Sequence, residues 1–297
     1  SHELRTPMNA IIGLTHMAER QSSDPAQCER AERAFSEALR ANAGSTDALI
    51  GLAQTAQLQG RPDKARDWMA KAVAAAPGSP PILQAQSKLL VEQGMGALAE
   101  EHYRRAIAAN PGNPQFSQDL ASLYLEQLKR PAAAVTVLRD LLRRQPELAS
   151  AYLGLGLALA ADGKLDEAGR TLDEAVQRDP VNPFAYHAQG LLALKQGRAD
   201  AALTAFDKAL ALRPEFVGAL LSRGDALLAL GKADGALATY RRAASLAPGS
   251  AVPIAKRAQA LERLKRPDEA EAAYREALKL EWDLASAERF EIDVLTA

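Results

Sequence analysis

A spacing of 34 residues recurs along this chain and constrains its fold more than any other feature. Six prolines mark it, with one interval of 35 residues: Pro77, Pro111, Pro146, Pro180, Pro214 and Pro248. Alanines keep the same step at Ala65, Ala99, Ala134, Ala168, Ala202, Ala236 and Ala270, each followed four residues later by an aromatic or large apolar residue. Residues four apart share one face of an α-helix, so every period predicts a helix with one packed face. A fixed period of this length predicts a stack of similar units.

Glycine and proline divide each period into two helices. Gly60, Gly94, Gly163, Gly197 and Gly231 stand near the middle of five periods. Glycine takes a positive φ at little cost, which ends one helix and turns the chain into the next. Proline cannot continue a helix interior, so the proline near the end of each period stops the second helix. The pattern therefore predicts an all-α fold of paired helices.

These residues resemble the tetratricopeptide repeat family, a helix-turn-helix unit of about 34 residues. The resemblance covers roughly residues 24–284 and implies a right-handed superhelical solenoid of antiparallel helix pairs. Seven repeats are expected over 46–284, at 46–79, 80–113, 114–148, 149–182, 183–216, 217–250 and 251–284. Residues 24–45 are predicted to form a degenerate first repeat, and residues 285–297 a C-terminal capping helix.

Two repeats depart from the pattern at the turn between their helices. In the 35-residue repeat 114–148, Lys129, Arg130 and Pro131 replace the glycine, which predicts one inserted turn residue. In repeat 251–284, Lys265 stands where the glycine is expected.

The first 14 residues resemble the phosphoacceptor box of sensor histidine kinases. The resemblance implies that His2 accepts a phosphoryl group and that Glu3 is its acid-base neighbour. The remaining sequence shows no glycine-rich ATP lid. We therefore interpret residues 1–23 as a helical segment that is vestigial or was joined on by cloning. The alternative is a signalling fragment in which His2 is phosphorylated in trans and the repeats recruit a partner.

Composition gives no sign of several other functions. The net charge of -1 gives no reason to expect nucleic acid. One cysteine and four scattered histidines predict no disulfide, metal site or cofactor. No apolar run approaches the ~20 residues of a membrane span. We expect a non-enzymatic scaffold, bacterial by its Ala, Leu and Arg bias, in the cytoplasm, or periplasmic or membrane-tethered if an upstream segment has been lost.

The family resemblance also implies where a partner binds. In that family the first helices line a concave groove, with positions 2, 5, 6, 9, 12 and 13 of each repeat facing the ligand. The repeats from 149 to 250 place apolar residues and one histidine there: Leu153, Leu157, Phe184, His187, Leu191, Leu194, Leu221 and Leu228. Flanking repeats place polar residues there, so an apolar or amphipathic peptide or helix is the expected ligand. Alternatively, several of these leucines belong to the core.

The family's clamp for acidic C-termini does not match this chain. That clamp has Lys at position 5 and Asn at position 9 of a repeat. Here position 5 is Ile50, Gln84, Gln118, Leu153, His187, Leu221 or Ala255. A C-terminal carboxylate is therefore not the expected ligand.

Overall fold

The computed structural model describes residues 25–280, and within that range all regular secondary structure is α-helical. Fifteen helices follow one another in this part of the chain: α1 Pro25–Ala41, α2 Thr46–Leu58, α3 Pro62–Ala75, α4 Pro80–Glu92, α5 Gly96–Ala109, α6 Pro114–Glu126, α7 Pro131–Arg144, α8 Ala149–Ala161, α9 Leu165–Arg178, α10 Pro183–Lys195, α11 Ala199–Leu212, α12 Val217–Ala229, α13 Ala233–Leu246, α14 Ala251–Arg263 and α15 Pro267–Lys279. The expectations for residues 1–23 and 285–297 lie outside the described residues.

The chain divides into two compact units, Ser1–Arg144 and Gln145–Ala297. In the first unit α2 packs on α3, α4 on α5 and α6 on α7, while each second helix also contacts the next first helix. In the second unit α8 to α15 pair in the same order. The short turn inside each pair makes its two helices antiparallel. The predicted all-α fold of paired helices is therefore confirmed.

The turns use the residues that the sequence indicates. The five mid-repeat glycines have φ between 68° and 81°. Lys129 and Lys265 take the same left-handed conformation, with φ of 51° and 58°. The turn between α6 and α7 has one residue more than its counterparts, which confirms the predicted insertion. Each second helix from α3 to α13 ends two residues before its proline.

Small residues on the first helices make room for large residues on the second. Ala202 and Phe206 of α11 are fully buried. A Cβ atom added to Gly190 of α10 would lie 2.3 Å from the Phe206 ring. Gly224 stands in the same relation to Tyr240. In these two helix pairs a large side chain of the second helix therefore fills the space above a glycine of the first helix.

Helix α1 packs as the second helix of the degenerate repeat. Its Cys28 and Phe35 are buried in a cluster with Ala48 and Leu52 of α2. A Cβ atom on Gly51 would lie 2.4 Å from the Phe35 ring. Phe35 therefore fills the space above Gly51 as Phe206 does above Gly190.

Candidate functional site

The eight predicted groove residues of the second unit all lie on three first helices. Helix α8 contacts α10, and α10 contacts α12, so the three helices form one layer. Leu157, Phe184 and Leu191 are 39%, 46% and 39% exposed. Leu153, His187, Leu194, Leu221 and Leu228 are half-buried. None of the eight is fully buried, and the three exposed residues form what we call the apolar strip.

Three of the half-buried leucines support the core as well as the surface. Leu221 and Leu228 pack against the buried cluster that contains Tyr240. Leu194 packs against the cluster around Phe206. These leucines therefore have part of the core role that the sequence left open, whereas Leu157 and Leu191 are more available to a partner.

His187 joins α10 to the beginning of α12. Its Nε2 atom lies 3.0 Å from Ser222 Oγ, and its ring centroid lies 4.9 Å from that of Phe216 and 5.6 Å from that of Phe206. Burial lowers the pKa of His187, and a hydrogen bond with the Gly218 backbone partly offsets this. The neutral imidazole therefore links α10 to α12 while the side chain remains half-buried.

An aromatic cluster that the sequence interpretation missed borders the apolar strip. Phe184 and Phe216 meet edge to face with centroids 5.1 Å apart. The Arg213 guanidinium lies 5.7 Å from each of the two ring centroids. Phe216 and Arg213 flank the periodic proline, and no groove position of the family includes them. Contacts with Phe216 and Arg213 therefore hold the Phe184 ring in place, although that ring is exposed.

Charged residues end the apolar strip on the next repeat. Asp225 stands at position 9, the same repeat position as Leu157 and Leu191. Its carboxylate accepts a hydrogen bond of 2.7 Å from the Tyr240 hydroxyl and forms an ion pair of 3.0 Å with Lys256. Burial and the Asp225 carboxylate raise the pKa of Tyr240, so the phenol remains protonated.

The first helices of the first unit carry several polar side chains. Gln84 donates to Asp119 over 3.2 Å, which links α4 to α6. A cavity of about 420 Å³ is lined by Gln54, Lys88 and Glu92 together with apolar residues that include Ile50, Leu58 and Leu89. Partial burial raises the pKa of Glu92, and Lys88 partly offsets that rise. Gln54, Gln84 and Lys88 stand at positions 9, 5 and 9 of their repeats, which are groove positions in the family.

Other site types find no support in residues 25–280. No group of three or more His, Cys, Asp or Glu side chains in this range could hold a metal ion. Among the same residues no helix combines the length and apolarity that crossing a bilayer needs. The phosphoacceptor candidate His2 lies outside the described residues.

Comparison with known families agrees with this architecture. The fold defines an α-helical repeat protein that presents layers of first helices. Sequence models described as tetratricopeptide repeat match residues 27–89, 90–147, 119–183, 187–251 and 254–281. The chain belongs to the tetratricopeptide repeat family, and its fold is that of a protein-interaction scaffold. The model of the His Kinase A (phospho-acceptor) domain matches residues 1–49.

Solved structures with similar folds are also tetratricopeptide repeat stacks. A tetratricopeptide repeat protein from Parabacteroides merdae is 18% identical, with a TM-score of 0.64 over 86% of this chain and 99% of that protein. Yeast Tom70 is 17% identical, with a TM-score of 0.71 over 91% of this chain and 59% of Tom70. These likenesses concern the fold alone. No curated protein matches the sequence significantly.

Proposed function

We propose that the first helices of the second unit bind an apolar or amphipathic segment of a partner protein. The observation that carries this proposal is the exposure of Leu157 and Leu191. Both are large apolar residues at the same position of consecutive repeats, and both are 39% exposed. A contiguous exposed apolar patch on a soluble protein commonly marks an interaction site. Phe184 extends the patch with an exposed aromatic ring, and aromatic residues are enriched in the cores of protein interfaces.

The spacing within the apolar strip suits a helical ligand. Neighbouring packed helices lie roughly 8–10 Å apart, which approximates the separation of Leu157 from Leu191. Apolar residues seven positions apart on a ligand helix are about 10.5 Å apart along its axis. An amphipathic helix could therefore place one apolar side chain on each leucine. The ion pair between Asp225 and Lys256 would lie beyond the apolar contact and would favour a polar residue of the ligand there.

The test replaces Leu191 with Asp and uses a leucine of matched exposure as control. Leu212 at the end of α11 is 42% exposed and occupies no groove position. The partner is first isolated by co-purification and mass spectrometry with the unmodified chain. We expect Leu191→Asp to abolish recovery of that partner and Leu212→Asp to retain it, with little change in melting temperature for either.

Two outcomes would count against the apolar strip. A folded Leu191→Asp protein that binds the partner with unchanged affinity would remove the proposal. A steep fall in melting temperature for Leu191→Asp alone would show that Leu191 is part of the core, because a charge would then be buried.

The match to the phospho-acceptor domain favours a second candidate function. In it, the imidazole of His2 accepts the γ-phosphoryl group of ATP from a separate kinase, and ADP leaves. The part of that match that falls on α1 packs as a repeat helix, with Phe35 over Gly51. Incubation with labelled ATP and a histidine-kinase catalytic domain should label the chain but not His2→Gln. Absence of label on both proteins would reject this function.

A further inference from the structure

A cleft of about 390 Å³ opens in the first unit on a face that the groove does not use. It lies between α5 and α7, the second helices of neighbouring repeats, and α6 forms its floor. Arg104 and Arg144 line it together with the hydroxyl-bearing Ser117 and Tyr124. The lining residues of α6 occupy none of the groove positions. The cleft is therefore a separate feature of the molecule.

The cleft exists because Ser117 is small. The equivalent residue of the next repeat is Tyr152, whose hydroxyl donates to the Pro146 carbonyl over 3.0 Å. At Ser117 there is no ring to fill the space. The Arg144 guanidinium instead donates to the equivalent carbonyl, that of Pro111, over 3.2 Å, and to Ser117 Oγ over 3.4 Å.

Arg144 differs from its counterpart in the next repeat in how its charge is balanced. Arg178, the equivalent last residue of α9, forms ion pairs with Glu147 and Glu174. Its guanidinium also stacks on the Tyr152 ring, 4.5 Å from the centroid. The hydrogen bonds that the Arg144 guanidinium donates end on a hydroxyl and on backbone carbonyls. The hydrogen bonds of this guanidinium therefore go to uncharged oxygens, whereas those of Arg178 include two carboxylates.

At the other end of the cleft the lining arginine is Arg104, which pairs with a carboxylate outside the lining. Arg104 and Arg130 share one carboxylate, that of Glu100, at 2.7 Å and 2.9 Å. Arg104 also donates to the Tyr124 hydroxyl over 3.0 Å. Ser117 and Tyr124 are two helical turns apart, roughly 10 Å along α6. Arg144 bonds to the Ser117 hydroxyl and Arg104 to the Tyr124 hydroxyl, so the two arginines lie at opposite ends of the cleft.

We propose that this cleft binds a small organic oxyanion, in which an apolar body carries a carboxylate or phosphate group. Guanidinium forks bind such groups through paired hydrogen bonds. Ile107 and Val137 supply apolar walls for the body of the ligand. Asp140 adds a carboxylate to the lining, but that carboxylate pairs with Arg143. The volume lies within the range of small-molecule sites, roughly 300–1,000 Å³.

Calorimetric titration of the full chain at low salt tests the proposal with four probes. Phenyl phosphate combines both parts of the expected ligand, whereas inorganic phosphate and phenol each carry one. We expect phenyl phosphate to bind more tightly than either and to weaken as salt is added. If a blocked phosphotyrosine binds more tightly than phenyl phosphate, the ligand is a side chain of a partner protein. If the two bind equally, the ligand is a free small molecule. No saturable binding of phenyl phosphate would overturn the proposal.

Three variants localise the site. Arg144→Gln should weaken phenyl phosphate binding by about tenfold or more, because a charge-assisted hydrogen bond is lost. Ser117→Tyr should abolish binding by filling the cleft in the way Tyr152 does in the next repeat. Arg105→Gln is the control, since Arg105 lies beside Arg104 but pairs with Glu101, and it should keep the affinity within about twofold. Unchanged affinity in either cleft variant that folds would refute the assignment.

Discussion

Replacement of Gly190 by alanine should destabilise the second unit even though alanine is the better helix former. Gly190 lies inside α10, directly beneath the Phe206 ring of α11. A Cβ atom there would lie 2.3 Å, 2.6 Å and 2.8 Å from three ring carbons. Carbon atoms in contact are normally ~3.5–4.0 Å apart, so the ring would have to move by roughly 1 Å. Phe206 is fully buried and has little space to move into.

The sign of the effect follows from two opposing terms. Overpacking a close-packed core costs about 1–3 kcal/mol of stability. If the ring is forced out of its site, the cost approaches that of truncating a phenylalanine, ~3–5 kcal/mol. The gain in helix propensity from glycine to alanine is about 1 kcal/mol. We therefore expect Gly190→Ala to lower the free energy of unfolding by about 1–3 kcal/mol.

Gly169 provides a matched control in the neighbouring helix α9. The nearest atom to a Cβ added there is Leu192 Cδ2 at 3.7 Å, an ordinary contact. Gly169→Ala should therefore stabilise the protein by about 0.5–1 kcal/mol. Urea unfolding followed by circular dichroism measures both changes, and hydrogen exchange locates them. Equal or greater stability of Gly190→Ala would refute the packing argument. Phe206→Leu combined with Gly190→Ala should cost less than the sum of the two single changes.

Three further predictions concern pH, turns and the alanine face. Burial lowers the pKa of His187 in the folded state, so the unfolded chain binds a proton first as pH falls below about 6.5. The free energy of unfolding should therefore decrease below that pH. Thermal melts at a series of pH values should show a smaller decrease for His187→Gln. Lys129→Gly and Lys265→Gly should each raise the free energy of unfolding by about 0.5–1 kcal/mol, since both residues have positive φ, and lower stability would contradict this. Ala202→Trp should cost about 1–3 kcal/mol or more, with hydrogen-exchange protection lost mainly in adjacent repeats rather than evenly.

The period of the sequence was sufficient to predict the helix pairs and their turns. Alanine and a large residue four positions later must share a helix face, so the buried pair Ala202 and Phe206 could be inferred from spacing alone. Positive φ at the mid-repeat glycines followed from the lack of a Cβ atom. Even Lys129 could be located, because a repeat that is one residue longer must accommodate that residue in a turn.

The candidate groove was predictable only in part. Repeat position indicates which residues of a first helix face the groove, and Leu157 and Leu191 are indeed exposed. It does not indicate which half-buried leucines also touch the core, as Leu221 and Leu228 do. That distinction depends on side-chain contacts between successive repeats.

Contacts between residues far apart in sequence were decided by the tertiary structure alone. Repeat position predicts that His187 faces the groove, but it does not predict that its Nε2 atom lies 3.0 Å from Ser222 Oγ, 35 positions away. The cleft beside Arg144 depends on Ser117, which is 27 positions away and is separated from Arg144 by a turn. A periodic sequence specifies the local pairing of helices because near neighbours determine it, whereas each side chain finds its polar partners only when the repeats stack.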